Sequence, residues 1–449
     1  MRLASARRFR LCSLKPVPKK LIAAALAFLA ATTFGLTSSA VAAAPPTCSA
    51  KVQTSNRWLG KLYGVVQDTQ TGKILLNIRG SEQTPSASVM KLFTAAAALS
   101  FVPQGYVAQT RVFRSTVDPT VLILVGGGDH TLSAFNLPSF TTYKNPPKLS
   151  LLAATTLAKI GQGATVSKII VDTSFFDETG FNSSWLASDR TNGYVSLISP
   201  LMADADRQNG DRTSKLYSSV RSTDPAKRAG ELFKSALGAQ AASAQVVAGV
   251  VPDDANLLTT IHSQPLAVWL EHALHVSDNT ETEIIARHVE KYLNLPATFA
   301  EIQPMIKMTL ADLGISSKSL VMKDASGLAQ DDRVTARLVA ALLRESVNPN
   351  SPIADLPSFL PTPTTYGTLS SRFTGHHQAV RDFLVAKSGF IPGLSSLAGL
   401  VQAKDGSTLS FAFFARSDKK HGFSIGYPTK DAIDGLVNKA YLCGLSLTK

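Results

Sequence analysis

Pro85–Leu99 reads PSASVMKLFTAAAAL and sets a lysine, Lys91, three residues after a serine, Ser88, at the mouth of an alanine-rich run. Its alanine and leucine content predicts a helix over Ser88–Val102, ended near Pro103. A buried helix has little use for an unpaired charge, because desolvating one is costly. Two readings are open on these residues alone. Ser88 caps the helix while Lys91 snorkels to solvent, or the two work as a pair. Positions i and i+3 share a helix face, so the hydroxyl and the amine can meet. A serine becomes a nucleophile when a neighbouring base takes its proton, and a desolvated lysine has its pKa lowered toward that task. The helix N-terminus adds positive potential where an oxyanion would form.

Working outward, two more short patterns stand downstream. Ser277-Asp278-Asn279 closes the helical run PLAVWLEHALHV, and Lys387-Ser388-Gly389 closes the strand-like run VRDFLVA. Each has a plain reading by itself, a turn after a helix and a charge at a strand end. Stray copies occur: Ser417-Asp418-Lys419-Lys420 lies in a charged loop with no apolar helix after it, and Ser346-Val347-Asn348 reads as a helix end. Order and context separate the first set from these copies. S-x-x-K stands at a helix start, S-x-N in a loop and K-S-G at a strand.

That ordered trio resembles the penicillin-binding proteins and serine β-lactamases. The resemblance extends to the D-alanyl-D-alanine carboxypeptidase/endopeptidase family with a large insert, the S13 peptidases of the penicillin-binding protein 4 type. It is carried by PSASVMKLFTAAAAL, LILVGGGDHTLS (Leu122–Ser133), IIVDTSFFD (Ile169–Asp177), SDNTETEIIARH (Ser277–His288), DASGLAQDDRVT (Asp324–Thr335) and KSGFIPG (Lys387–Gly393), and so covers nearly all of the chain after its leader. The long gap between Ser88 and Ser277 fits the family's insertion. The third motif is K-S-G where K-T-G is common, which keeps a hydroxyl; Asn182–Gly193 matches the family's tryptophan-containing middle region only loosely.

The resemblance implies a fold class of α/β (α+β): a penicillin-binding-protein/serine β-lactamase-like transpeptidase domain with a large β-rich inserted module. It implies that Ser88 attacks the carbonyl between two D-alanines, with Lys91 as base. Ser277 would pass the proton to the leaving amine while Lys387 holds its hydroxyl, and Asn279 would bond the substrate peptide. Ser388, in the motif completed by Gly389, would receive the terminal carboxylate. The backbone N–H groups of Ser88 and Phe390 would hold the oxyanion. Peptidoglycan stem peptides are the implied substrates and β-lactams the implied acylating inhibitors, with no metal or organic cofactor. Two rivals share the fold: a catalytically silent cell-wall or β-lactam binder, and a β-lactamase.

The remaining features set the frame. Arg2, Arg7, Arg8, Arg10, Lys15, Lys19 and Lys20 precede the apolar stretch Leu21–Leu36 and the small residues ending Ala40-Val41-Ala42, which reads as a cleavable secretory signal over 1–42, the alternative being an uncleaved N-terminal anchor, for which Leu21–Leu36 is short. The chain's formal charge of +13 loses those seven basic residues with the leader, leaving a mildly basic protein. No basic, aromatic-interleaved patch argues for nucleic acid. Cys48 and Cys443 remain once Cys12 departs, and outside the cytosol such a pair predicts a disulfide joining the two ends. The texture of the chain divides it into 43–104 with 258–449, the peptidase domain, and 105–257, an inserted module of short β-rich segments. Gly126-Gly127-Gly128 reads as a tight strand exit, lacking phosphate-loop spacing. Gly422–Gly426 fits G-x-S-x-G, but no histidine follows Ser424 to complete that site. His272 and His275, beside Glu271, read as packed or solvated histidines for want of an evident third ligand.

Overall fold

The computed structural model describes residues 48–135, 142–161, 163–208, 219–417 and 425–449. The expected signal segment, Ser424 and most of the Ser417–Lys420 copy lie outside the described residues. The chain enters through strand β1 (Cys48–Ser49) and a helical turn α1 (Lys51–Thr54), followed by hairpin β2 (Lys61–Asp68) and β3 (Ile74–Ile78) and by helix α2 (Lys91–Phe101). Next come β4 (Gln109–Arg114), β5 (Val121–Val125), α3 (Leu149–Ile160), β6 (Lys168–Asp172), α4 (Ala187–Thr191), α5 (Pro225–Leu237), β7 (Gln245–Ala248) and β8 (Asn256–His262). Four helices follow, α6 (Leu266–Val276), α7 (Asn279–Tyr292), α8 (Ile302–Asp312) and α9 (Ala336–Glu345). Strands β9 (Leu384–Ile391), β10 (Leu394–Gln402) and β11 (Thr408–Arg416), helix α10 (Tyr427–Cys443) and strand β12 (Leu447–Thr448) complete the chain.

One sheet runs β3-β2-β11-β10-β9, antiparallel throughout. Its central strand explains why TLSFAFFAR is apolar almost without a break. Phe411, Phe413 and Ala415 face a core shared with α10, while Ala412 and Phe414 face a second core built with α2, α6, α7, α8 and α9. A strand buried on both faces has no polar side to alternate. Helix α9 supplies an amphipathic lid capped by Thr335, whose hydroxyl accepts from the N–H of Leu338 at 3.2 Å. The sheet's closing edge is β9, so the chain bearing Lys387 has one flank without a partner strand. Here the structure revises the expected placement of the third motif. Residues 375–383 form a 3-10 segment, and Lys387-Ser388-Gly389 sits within β9 rather than at its end. Arg381 accounts for this: its guanidinium donates to the carbonyls of Arg372 and Pro363, which holds VRDF out of the ladder.

A second sheet, β7-β6-β5-β4-β8, has β6 between two parallel neighbours and β4 between two antiparallel ones. Helices α3 and α5 close its core over Leu122, Leu124, Ile169 and Val171. Strand β8 runs to His262 and so crosses the boundary expected after residue 257. Much of the segment between β6 and α5 leaves this core: Phe176, Trp185, Val195, Ile198 and Met202 are buried with the helices of the first sheet, while Leu201 and Ala203 stay with the second. After β5, a Cβ on Gly127 would stand 2.0 Å from the carbonyl oxygen of Gln109, so the triple glycine is a close strand exit. The two ends of the described chain meet. β1 pairs with β12 in parallel, and Cys48 is joined to Cys443 with Cα atoms 5.5 Å apart.

Candidate active site

Ser88 lies in the 3-10 turn Ala87–Met90, and α2 begins at Lys91, later than the sequence predicts. In a 3-10 turn, side chains three apart eclipse, which brings the pair together more directly than an α-helix would. Lys91 Nζ is 3.3 Å from Ser88 Oγ. Ala87, just before the serine, has φ +47°, a conformation that non-glycine residues rarely adopt and that concentrates at functional sites. Lys91 is 1% exposed. Its ammonium donates to Asn279 Oδ1 at 2.6 Å and to the Ser326 carbonyl at 2.8 Å. Burial pulls its pKa down to about 8 while Asp324 and Glu283 resist the fall.

Those two carboxylates belong to a buried acidic floor. Glu283 accepts from the N–H groups of Ala325 and Ser326, at 3.0 and 2.9 Å to one oxygen. Asp324 accepts from Gly327 N–H at 2.6 Å, Ala329 N–H at 2.7 Å and the Trp185 indole at 2.6 Å. Asp324–Gly327 is thus part of the floor that carries Lys91. Burial, then Asp324, raises the Glu283 carboxyl to about 8.

Ser277 caps the C-terminus of α6 in the left-handed conformation, with φ +64°. Its Oγ accepts from Lys387 Nζ at 2.9 Å, and the same ammonium donates to the Ser388 carbonyl at 2.8 Å. Lys387 is fully buried, and its pKa lies well below the ordinary lysine value because of burial and the repulsion of Lys91. Asn279, the first residue of α7, has both ends of its amide engaged: Oδ1 by Lys91, and Nδ2 donating to the Tyr194 carbonyl at 3.0 Å. Ser388 Oγ donates to Thr368 Oγ1 at 2.7 Å, and the N–H of Thr368 is tied to the carbonyl of His275 at 2.9 Å. Gly389 is dictated by packing, since a Cβ there would stand 2.9 Å from the Ser88 nitrogen and 2.3 Å from Ser396 Oγ.

A cavity of about 640 Å³ opens over Ser88, Ser277, Asn279, Ser388, Gly389 and Phe390. The residues expected in the site, Ser88, Lys91, Ser277, Asn279, Lys387, Ser388, Gly389 and Phe390, are therefore together, and Cys48 and Cys443 close the far ends of the described chain. The cavity also takes in residues that carried no local signal, among them Thr368, Asp189, Tyr194, Gln330, Arg372 and Lys430. Lys430 sits 5.6 Å over the Phe390 ring, and Arg372 pairs with Asp434 at 2.6 Å. Lys430 stands near the start of α10, and Arg372 lies in the irregular segment before β9. Neither element shows in sequence that it turns toward Ser88.

Behind the second motif lies a buried polar shell. Asp278 caps α7, its Oδ1 accepting from Glu281 N–H at 3.1 Å, while Oδ2 accepts from Arg207 at 2.6 Å and from the Tyr143 hydroxyl at 3.2 Å. Burial alone would raise this carboxyl, yet Arg207, with His272 and Arg221, holds it far below the usual carboxylate range. Removing one partner of such a pair typically costs about 3–5 kcal/mol. Arg207 follows three consecutive left-handed residues, Asp204 (φ +54°), Ala205 (φ +46°) and Asp206 (φ +60°). Each such residue costs roughly 1–2 kcal/mol. Nearby, His272 Nδ1 and Glu281 Oε2 are 2.6 Å apart, and His130 approaches Glu281 Oε1 at 3.2 Å. Ligand atoms of His272, Asp278 and Glu281 lie within 4.8 Å of one another. The Arg207 guanidinium already occupies the Asp278 carboxylate.

Comparison with known proteins places the chain in a family. The profile of the D-Ala-D-Ala carboxypeptidase 3 (S13) family matches residues 49–215 and 209–439. The chain is 30% identical over 412 residues to Carboxypeptidase Rv3627c of Mycobacterium tuberculosis, covering 91% of this chain and 86% of that protein. It is 27% identical over 421 residues to the D-alanyl-D-alanine carboxypeptidase of Actinomadura sp. strain R39, covering 76% and 75%. Among solved structures, penicillin binding protein 4 (dacB) of Haemophilus influenzae superposes with a TM-score of 0.70 at 20% identity, covering 85% of this chain and 96% of that one. Its complex with a β-lactam superposes with a TM-score of 0.62, also at 20% identity and with the same coverage of both chains.

Proposed function

The chain belongs to the D-Ala-D-Ala carboxypeptidase (S13) family and is a serine-type D-Ala-D-Ala carboxypeptidase of peptidoglycan; we propose that Ser88 is its nucleophile and Lys91 its base. The observation that carries this assignment is a single buried ammonium, Lys91 Nζ, held within reach of Ser88 Oγ by Asn279 and the Ser326 carbonyl. In its neutral form Lys91 takes the Ser88 proton as Oγ attacks the carbonyl carbon of the penultimate D-alanine. The C–N bond breaks, and that proton returns through Ser277 to the amine of the departing D-alanine. Water then cleaves the ester with Lys91 again as base.

Ser388 and Thr368 receive the terminal carboxylate, with Lys430 and Arg372 lining the same cavity. Lys387 is the counterpart of that carboxylate. Burial favours its neutral form in the empty site, and an arriving anion restores its charge. The N–H groups of Ser88 and Phe390 hold the oxyanion, a role supported by the close packing of Gly389 on the Ser88 nitrogen. Asn279 steadies Lys91 and meets the substrate peptide once its bond to Tyr194 yields. The division of the chain into 43–104 with 258–449, carrying the motifs, and an insert over 105–257 belongs to this reading, as do acylation by β-lactams and cleavage of peptide cross-links. So does export, supported by the Cys48–Cys443 disulfide and by the leader-like composition of residues 1–42. Among the described residues no helix is long and apolar enough to cross a membrane.

Intact mass after incubation with benzylpenicillin, beside a Ser88→Ala variant, tests the assignment. A stable one-to-one adduct on the wild type and none on the variant is expected. Absence of an adduct on both would favour a silent binder, and an adduct that vanishes within seconds would favour a β-lactamase.

A further inference from the structure

We propose that Arg207 is a positioning residue for the reaction: by pinning Asp278 at the start of α7 it holds Ser277 toward Lys387 and Asn279 toward Lys91. The proposal rests on the serine-peptidase reading above and adds to it a part of the insert that touches neither substrate nor nucleophile. Ser277, Asp278 and Asn279 are consecutive, so the carboxylate in the middle fixes the backbone from which the two flanking side chains diverge. Asp278 points away from the cavity into the buried shell, where Arg207 donates to it at 2.6 Å and to Tyr143 at 2.8 Å.

The turn that delivers Arg207 is built for this task. Asp204, Ala205 and Asp206 all have positive φ, and without glycine such a run persists only when its surroundings over-determine it. They do. The N–H groups of Asp204 and Ala205 donate to the carbonyls of Leu132 and His130 at 2.8 and 2.7 Å. Asp206 accepts from Ser222 N–H at 2.7 Å, and Arg221 donates to the Ala205 carbonyl at 2.7 Å. Arg221 also donates to the Gly193 carbonyl at 3.2 Å, next to the Tyr194 carbonyl that holds Asn279. The same stretch donates from Ser196 N–H to Thr280 Oγ1 at 3.0 Å. Three successive residues of the second motif and its helix start, Asp278, Asn279 and Thr280, are thus each held by the insert. The Arg207 contact is the charged one.

The test compares kcat and KM for D-Ala release by wild type, Arg207→Met, Arg207→Lys, Asp278→Asn and the Arg207→Met/Asp278→Asn double variant. Arg287→Met is the control; this buried arginine of the same helix pairs with Glu290 at 3.1 Å and touches no motif residue. Displacing reacting groups by about an ångström costs on the order of a hundredfold, so Arg207→Met should lose about a hundredfold in kcat with KM within about threefold. Arg207→Lys should recover about tenfold of that loss, and the double variant should be no worse than either single variant. Arg287→Met should melt lower yet keep its kcat. An active wild type whose Arg207→Met variant keeps kcat within about threefold overturns this proposal alone. So does an Arg287→Met variant that loses kcat as severely. If Arg207→Met does not fold, the nearly isosteric Asp278→Asn decides, and an unchanged kcat there overturns it. A wild type that releases no D-alanine overturns the serine-peptidase reading and this proposal together.

Discussion

Lys91 and Lys387 are the two buried lysines of one site, and they are set in contrary surroundings. Lys91 stands over Asp324 and Glu283, and burial against that negative floor leaves its pKa at about 8. Lys387 stands in an edge strand, where burial and the repulsion of Lys91 both drive it toward the neutral amine. One lysine keeps its counter-charge inside the protein. The other, in the proposed mechanism, would receive it from the substrate's terminal carboxylate. On the proposed mechanism, then, substrate binding and the protonation of Lys387 should be coupled, because an anion beside the amine favours its charged form.

The largest effect expected from this contrast is loss of the base. Lys91→Met should cost on the order of 10³–10⁴ in the rate of acylation by either peptide or β-lactam, a full general-base contribution. Lys387→Met should cost less, roughly ten- to hundredfold in kcat/KM, the worth of a charge-assisted hydrogen bond. Equal losses in stopped-flow acylation would break the distinction. A smaller but sharper effect concerns the substrate. A peptide ending in a D-alanine amide should react with the wild type as slowly as the acid reacts with Lys387→Met, and that variant should treat amide and acid alike. A variant that still prefers the acid would place the carboxylate elsewhere, with Lys430 or Arg372.

The smallest effect is a shift along the pH axis. Lys91 must be neutral to accept the Ser88 proton, so the acylation rate should rise with pH through about 8. Asp324 favours the charged form, so Asp324→Asn should move that rising limb to lower pH while lowering the melting temperature, because its amide would face the Ala329 N–H and Trp185 indole donors. A limb that stays in place or moves upward would mean that the acidic floor does not set Lys91.

Much of this site was legible in the sequence, and the physics explains where legibility stopped. Ser88 and Lys91 could be read because their contact spans one turn, and Ser277 with Asn279 because a helix end must turn. What could not be read is what depends on distant parts meeting. Thr368 matters because its loop is tied to His275. Asp324 matters because α2 packs onto its loop, where Thr94 Oγ1 donates to the Ala325 carbonyl at 2.7 Å. Arg207 stands in a stretch with no periodic pattern, and its turn uses conformations that local propensity argues against. The placement of Lys387 at a strand end missed for a local reason: apolar alternation ran back through Val380, whereas Arg381 had already taken the preceding residues out of the ladder.

The order of strands in the first sheet carries a consequence for how such a protein comes into being. Strand β2 is among the first elements to leave the ribosome, yet its neighbour β11 comes near the end, as the Thr69 to Thr408 contact across 339 positions shows. Long-range pairings of this kind form slowly, because the chain must close a large loop before any contact rewards it. The middle sheet, with its own core and nearer partners, has no such wait. The turn bearing Ser88 rests against the edge strand β9, since Ser88 packs on Gly389. A nascent chain therefore carries Ser88 and Lys91 for most of its synthesis, and the second motif until Lys387 follows, without the strand that completes the proposed site. The proposed site thus waits for the late strands of this sheet, while the disulfide across 395 positions joins the two ends of the described chain.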